Sequence, residues 1–157
     1  MDKIKIRYAT EDDLHELLQF EQEVIRAERP MDPTIRKSPV YYYELEEMIH
    51  NPDVALVVAE LDGKLLASGY ACSKKARSYL DHDYYAYLGF MYTIPEFRGK
   101  GVNRRIIEAL RQWALARGLK ELRLTVYDLN DPAIRAYEKA GFRKHIIEMR
   151  LRKDGYQ

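Results

Sequence analysis

This chain of 157 residues is short of several things that would announce a special environment. It holds one cysteine, Cys72, so it cannot close an internal disulfide. A lone thiol fits a reducing compartment, and a cytoplasmic location is expected. No apolar run approaches the roughly 20 residues that a membrane-spanning helix needs, so no membrane association is expected. The opening Met1-Asp2-Lys3-Ile4-Lys5 runs directly into alternating sequence, so no signal peptide is expected. His15, His50, His82 and His145 fall on separate elements without metal-ligand spacing, so no metal is expected. There is no internal repeat, low-complexity segment or linker. A large excess of one charge is also missing. The net charge is +1, which argues against a strongly basic nucleic-acid binder, and no RNA-binding motif is present.

What is present is an ordinary globular mixture, 46% hydrophobic and 32% charged. A chain of this size buries roughly 68–70% of its unfolded surface, enough for one core without staples. A single domain over residues 1–157 is expected. The near-neutral total hides an asymmetry. Residues 1–50 carry 12 acidic against 7 basic side chains, and residues 98–157 carry 7 against 15. An acidic front and a basic back suggest two different tasks.

Periodicity gives the element order. Ile4, Ile6 and Tyr8 alternate as a half-buried strand. Thr10 and Asp13 form a near capping box, and Leu14, Leu17, Leu18, Val24 and Ile25 predict a helix from about residue 11 to residue 27. Ser38-Pro39 reads as the N-cap and first turn of a second helix reaching His50, stopped by Asn51-Pro52. Val54 to Leu61 and Leu65 to Cys72 are strands joined at Asp62-Gly63, a strong hairpin signal. Residues 74–83 form a polar connection, and Tyr84 to Ile94 is an aromatic strand closed by Pro95. A glycine-rich turn follows, then a helical stripe through Val102, Ile106, Ile107, Leu110, Trp113 and Ala114, capped at Gly118. Leu122 to Val126 is a strand, Asp131-Pro132 opens a short helix ending at Gly141, and Phe142 to Leu151 predicts one or two last strands. The order β-α-α-β-β-β-α-β-α-β-β implies an α/β fold around a mixed central β-sheet flanked by helices.

The chemistry concentrates in Tyr92-Thr93-Ile94-Pro95-Glu96-Phe97-Arg98-Gly99-Lys100-Gly101-Val102-Asn103. A strand ends, glycines curl the backbone, and a helix begins with N–H groups that lack intrahelical partners. Such a helix start is an anion site suited to a pyrophosphate, and Arg98, Lys100, Arg104 and Arg105 add charge. Two nucleotide motifs are excluded. A P-loop needs Lys-Ser/Thr after its last glycine, where this chain has Val102-Asn103. A Rossmann turn needs a third glycine, where this chain has Arg104.

Residues 88–142 resemble the acyl-CoA-binding core of the GNAT superfamily, the GCN-related N-acetyltransferases. That family's fingerprint, Gln/Arg-x-x-Gly-x-Gly/Ala, is met at Arg98 and Gly101, and Asn103 stands where the family prefers a small residue. Asn130-Asp131-Pro132-Ala133 with Tyr137-Glu138-Lys139-Ala140-Gly141-Phe142 resembles its second signature. Ile6-Arg7-Tyr8-Ala9-Thr10-Glu11-Asp12-Asp13 resembles its first strand and helix. The resemblance spans nearly the whole chain and is weakest over residues 28–52 and 73–87, which in such proteins face the acceptor.

The resemblance implies a GNAT fold in one acyl-CoA N-acyltransferase domain, with acetyl-CoA as cosubstrate between splayed strands through Met91 and Val126. It implies that the backbone of Met91, Tyr92 and Thr93 pairs with the pantetheine arm. One N–H near Phe90 or Met91 polarises the thioester, with Gly89 accommodating a bulge. Main-chain N–H groups from Arg98 through Gly99, Lys100, Gly101 and Val102 to Asn103 hold the pyrophosphate, and Asn130 bonds the pantetheine arm. Tyr137 sits by the sulfur as general acid. Many members carry a glutamate base where this chain has Tyr87, and a phenol with a reference pKa of about 10 is a poor base. Asp83, His82 and Glu28 are acceptor-side candidates, a water chain or a neutral amine needs none, and the base stays open.

Tyr41-Tyr42-Tyr43 and Tyr84-Tyr85-Tyr87 either line an acceptor site, where a cation rests on an aromatic face, or simply pack. Cys72 reads as a core residue. The expected activity is acetyl transfer from acetyl-CoA to a primary amine by direct attack, on a small-molecule or peptide acceptor, the acidic front favouring a small cationic amine. A catalytically inactive acyl-CoA-binding sensor or interaction module, and a protein N-terminal or lysine acetyltransferase, are the alternatives. Homodimers are common in the family, so a homodimer is one partner state the resemblance allows.

Overall fold

A computed structural model describes residues 3–153. Strand β1 (Lys5–Tyr8) leads through a 3-10 turn, Glu11–Asp13, into helix α1 (Leu14–Glu28). The expected capping box is formed between Thr10 and Asp13. Asp13 also takes both Arg7 terminal nitrogens at 2.8 and 2.9 Å, which ties the helix start to β1. After α2 (Leu45–His50) come β2 (Val54–Leu61) and β3 (Lys64–Lys75), joined at Asp62 (φ 50°) and Gly63 (φ 80°), the left-handed pair a two-residue hairpin needs. Then follow β4 (Tyr84–Thr93), α3 (Val102–Ala116), β5 (Leu122–Arg123) and α4 (Asp131–Lys139).

The sheet runs β1-β2-β3-β4-β5, antiparallel at the first three junctions and parallel at the last. Alternation along β3 shows how it is covered. Gly69 faces Ile106 and Leu110 of α3, while its neighbour Tyr70 stacks on Tyr43 across the other face. Phe20 of α1 meets Tyr92, the partner of Ser68, on that second face. The core therefore lies on both sides of the sheet, with Leu17, Leu65, Leu66, Leu88, Ile106 and Leu110 fully buried. This is the expected mixed sheet flanked by helices.

Four segments differ from expectation. The second helix does not start at Ser38-Pro39. The fully buried Glu21 of α1 accepts the Tyr42 and Tyr43 N–H groups at 2.6 and 2.8 Å, and Gln22 donates to the Val40 carbonyl at 2.9 Å. Amides drawn onto α1 in this way cannot enter a helical ladder, so residues 38–44 cross α1 as an irregular strap. The polar connection after β3 shrinks to residues 76–83, because Lys74 and Lys75 pair with Tyr85 and Tyr84. The strand expected over Leu122 to Val126 keeps its ladder only at Leu122 and Arg123. Phe142 packs against the core and Tyr137, but residues 143–151 form no ladder among the described residues.

Candidate active site

The parallel strands β4 and β5 pair only through Ala86 with Leu122 and Tyr87 with Arg123. Beyond that point they part, and the β5-side edge of β4 from Leu88 to Thr93 has no ladder partner among the described residues. The parting coincides with a defect in β4. Its register against β3 shifts between Ser68 and Tyr70, and Phe90 adopts φ +53°, which is rare for a bulky residue. The bulge thus rests on Phe90 rather than Gly89. Gly89 has a different job, since a Cβ there would come within 2.8 Å of the Tyr70 ring. The Ser68 hydroxyl donates to the Phe90 carbonyl at 3.0 Å, and the Phe90 backbone bonds the Tyr43 hydroxyl. Met91, Tyr92 and Thr93 follow directly, with the Tyr92 ring against Phe20.

The opening between the strands leads to the glycine turn. Gly101 is the N-cap of α3 at φ +82°, a conformation that positions the helix start and penalises a side chain. No side chain caps that end, so the first N–H groups of Val102 and Asn103 are presented outward. The Arg98 side chain turns back instead. It donates to the Thr93 carbonyl at 2.9 Å and covers Tyr92, bracing strand end to turn. Lys100 lies over Phe97, and Arg105 reaches away to the Ile4 carbonyl at 3.1 Å. Asn130 caps α4 by accepting the Ala133 N–H at 3.3 Å.

On α4, Tyr137 points toward residues from distant parts of the chain. Its hydroxyl pKa is pushed up to about 12, first by burial, then by the negative charge of Glu28 and by Tyr87. Glu28, the last residue of α1, is itself raised above the usual carboxylate value by burial, partly offset by a hydrogen bond from the Tyr42 hydroxyl. Burial likewise raises Tyr42, Tyr43 and Tyr70, and Tyr127 to about 12. Tyr127 donates to Asp32 at 3.1 Å, and Asp32 is held well below the usual range by Thr34, Arg150 and Tyr127. The Tyr87 hydroxyl bridges the strand opening to Thr125 at 2.8 Å, with Lys74 over its ring at 3.9 Å. These tyrosines thus form a wall near one raised carboxylate, Glu28, whose charge acts on Tyr42, Tyr43, Tyr127 and Tyr137.

Of the three acceptor-side candidates for a base, the structure brings only Glu28 toward Tyr137. His82 bonds Asp81 and Arg123 on the outer side of β5, and Asp83 uses its carbonyl on Ala76. Glu96 pairs loosely with Lys64 at 3.8 Å. From the tyrosine clusters, Tyr42, Tyr43 and Tyr87 join the wall. Tyr41 is 67% exposed, Tyr84 is exposed, and Tyr85 lies under Arg123. The Cys72 thiol is half-buried and pushed up by that burial. Tyr70, Tyr127, Asp32 and Thr125 went unnoticed in the sequence. For Tyr70 a signal existed, because strand alternation puts it on the same face as Ser68 and Cys72.

Comparison with known proteins adds the family. The model of the acetyltransferase (GNAT) family matches residues 12–142. An acetyltransferase of Pectobacterium atrosepticum is 34% identical over 93 residues, a match that spans 57% of this chain and 57% of that protein. A thialysine N-epsilon-acetyltransferase of Bos taurus is 26% identical over 149 residues, spanning 88% of this chain and 83% of that one. The solved structure of a predicted acetyltransferase with acetyl-CoA from Clostridium acetobutylicum superposes with a TM-score of 0.70 at 18% identity, over 95% of this chain and 96% of that one.

Proposed function

The chain belongs to the acetyltransferase (GNAT) family, and we propose that it is a single-domain enzyme, residues 1–157, that moves the acetyl group of acetyl-CoA directly onto the primary amine of a small cationic acceptor. The observation that carries this reading is the parting of β4 and β5 beside the left-handed Phe90, with the uncapped start of α3 at one end and Tyr137 with Glu28 at the other. The backbone of Met91, Tyr92 and Thr93 offers an edge to the pantetheine arm, in the manner of an added strand. The main chain from Arg98 through Gly99, Lys100, Gly101 and Val102 to Asn103 takes the pyrophosphate. The Asn130 side-chain amide remains able to donate to the arm while its oxygen caps α4. The Clostridium acetobutylicum structure of the same fold holds acetyl-CoA, which supports the cosubstrate.

The acceptor side is the tyrosine wall. Glu28 attracts an ammonium group, and the surrounding aromatic faces favour a cation. The thialysine relative is named for transfer to an amine nitrogen, in keeping with that class. In the reaction the ammonium loses one proton to Glu28, whose raised pKa makes it a better base than an ordinary carboxylate. The neutral nitrogen attacks the thioester carbonyl carbon, and an N–H of the Phe90–Met91 bulge stabilises the oxyanion. The C–S bond breaks, the amine's second proton leaves to solvent, and CoA departs as thiolate. Tyr137 at about 12 stays protonated at any working pH. A full transfer to a thiolate of reference pKa about 8.5 is uphill, so Tyr137 stabilises the departing sulfur mainly by donating a hydrogen bond. An ammonium ion beside Glu28 screens the charge that helps raise Tyr137, so acceptor binding strengthens that donor.

The test incubates the protein with acetyl-CoA and a panel of diamines, polyamines, amino acids and neutral aromatic amines, and identifies the acetylated product by mass spectrometry. Acetylation of cationic amines is expected. Binding of acetyl-CoA with no product across the panel would replace this reading with the inactive sensor.

A further inference from the structure

Past the last ladder pair of β4 with β5, Tyr87 with Arg123, a side-chain contact crosses the opening once more. The Tyr87 and Thr125 hydroxyls lie 2.8 Å apart, within hydrogen-bond distance. Because the strands are parallel, two residues further along each one puts Thr125 level with Gly89, one position before the left-handed Phe90. The Tyr87 side chain therefore leans forward along its strand and ties the two edges together after their backbones have parted. The bridge is braced from β3. Lys74 lies over the Tyr87 ring at 3.9 Å, and the Tyr70 ring sits 6.4 Å from it, centroid to centroid. Tyr70 also packs so closely on Gly89 that a Cβ there would come within 2.8 Å of its ring. Tyr87, Thr125 and Tyr70 thus close the narrow end of the opening immediately before the bulge.

In the acetyl-CoA reading, on which this inference rests, the cosubstrate runs against the direction of β4. The pyrophosphate lies at residues 98–103, the pantetheine arm along Thr93 to Met91, and the thioester carbonyl at the Phe90–Met91 bulge. Whatever hangs on that carbonyl points on toward Gly89 and meets the bridge. One residue of strand leaves about 3.3 Å, room for a methyl group but not for two further methylenes. We propose that the Tyr87–Thr125 bridge sets the acyl group this chain accepts, closing the cleft at acetyl length and excluding butyryl and longer chains. A bridge that only stapled the strands would be indifferent to acyl length, so the two roles make different predictions.

Calorimetry tests this without an acceptor and without turnover. CoA, acetyl-CoA, butyryl-CoA and hexanoyl-CoA are titrated in turn into the full chain. Acetyl-CoA is expected to bind roughly 10- to 100-fold more tightly than butyryl-CoA, the usual cost of a misfit of one or two methylenes in a fitted pocket. Hexanoyl-CoA is expected to bind no better than butyryl-CoA. Tyr87→Ala is expected to remove most of that difference. Thr125→Val, which keeps the bulk and loses the hydrogen bond, is expected to remove part of it. Each variant is read as the ratio of two ligands, which a general loss of stability does not move. Equal affinity of the unmodified chain for acetyl-CoA and butyryl-CoA overturns the proposal, and so does an unchanged ratio in Tyr87→Ala. Failure of every acyl-CoA to bind would instead sink the cosubstrate reading, and this inference with it. Should Tyr87→Ala fail to fold, the ratio in Tyr87→Phe, which frees the ring from Thr125, decides the matter.

Discussion

The two sides of the proposed site are built on opposite plans. The cofactor side is a backbone device. Apart from the Asn130 amide, its groups belong to one stretch, residues 91–103, whose side chains either face away or brace the turn, as Arg98 does on the Thr93 carbonyl. The acceptor side is a side-chain device. Glu28, Tyr42, Tyr70, Tyr87, Tyr127 and Tyr137 come from six separated places in the chain, and hydroxyl groups and rings do the work. A backbone device needs only the right dihedral angles and tolerates most side chains. A side-chain device needs particular residues at particular points. The first can be shared by a whole family, while the second is free to change with the acceptor.

Perturbing each side alone should separate them. The largest effect is expected at Tyr137, where the sides meet. Tyr137→Phe should lower kcat on the order of 100-fold while acetyl-CoA affinity by calorimetry stays unchanged. Glu28→Gln comes next. Removing a charge-assisted contact should reduce kcat/KM for a cationic amine roughly 10- to 100-fold, and a neutral amine should lose much less. Gly101→Val forces a β-branched residue into φ +82°, where the strain of about 1–3 kcal/mol should weaken acetyl-CoA roughly tenfold and leave amine recognition alone.

Two smaller effects probe how the acceptor side is held. Glu21→Ala strips the Tyr42 and Tyr43 amides of their acceptor. It should lower stability by about 1–3 kcal/mol, seen as a fall in Tm of about 2–4 °C for each of them, and raise the amine KM. Acid should loosen both this region, through Asp32, and the start of α1, through Asp13. Asp13 and Asp32 are both held below their ordinary value near 3.8 when folded, so their stabilising contribution is full above that pH and is lost as pH falls through the lower folded values. Asp32→Asn should flatten that loss in a thermal denaturation series.

The same difference of plan explains what could be read from the sequence. The glycine turn, the capping box at Thr10 and Asp13, the Asp62-Gly63 hairpin and the stripe of α3 are local, so spacing alone exposes them. The strap over residues 38–44 reads as helix from local spacing, because Glu21, which takes its amides, is far away in sequence. Glu28 could be named only as one of three candidates, since nothing near it in sequence distinguishes it from His82 or Asp83. Folding separates them, by ending α1 under Tyr42 and leaving His82 with Asp81 and Arg123. A bulge is expected at Gly89, whereas the Ser68 hydroxyl and the Tyr43 ring hold Phe90 in the left-handed region. The last strand expected over Phe142 to Leu151 forms no ladder among the described residues, because alternation shows a strand's pattern without naming the edge it would pair with.

The central claim is that acetyl-CoA is held by main chain on one side and a cationic amine by Glu28 on the other. The most direct test is a single assay of CoA thiol release in which the KM for acetyl-CoA and the KM for the amine are measured for the unmodified protein, Glu28→Gln and Gly101→Val. Crossed effects are predicted, with the amine KM rising only in the first variant and the acetyl-CoA KM only in the second. A Glu28→Gln enzyme with an unchanged amine KM and an unchanged kcat would contradict the account.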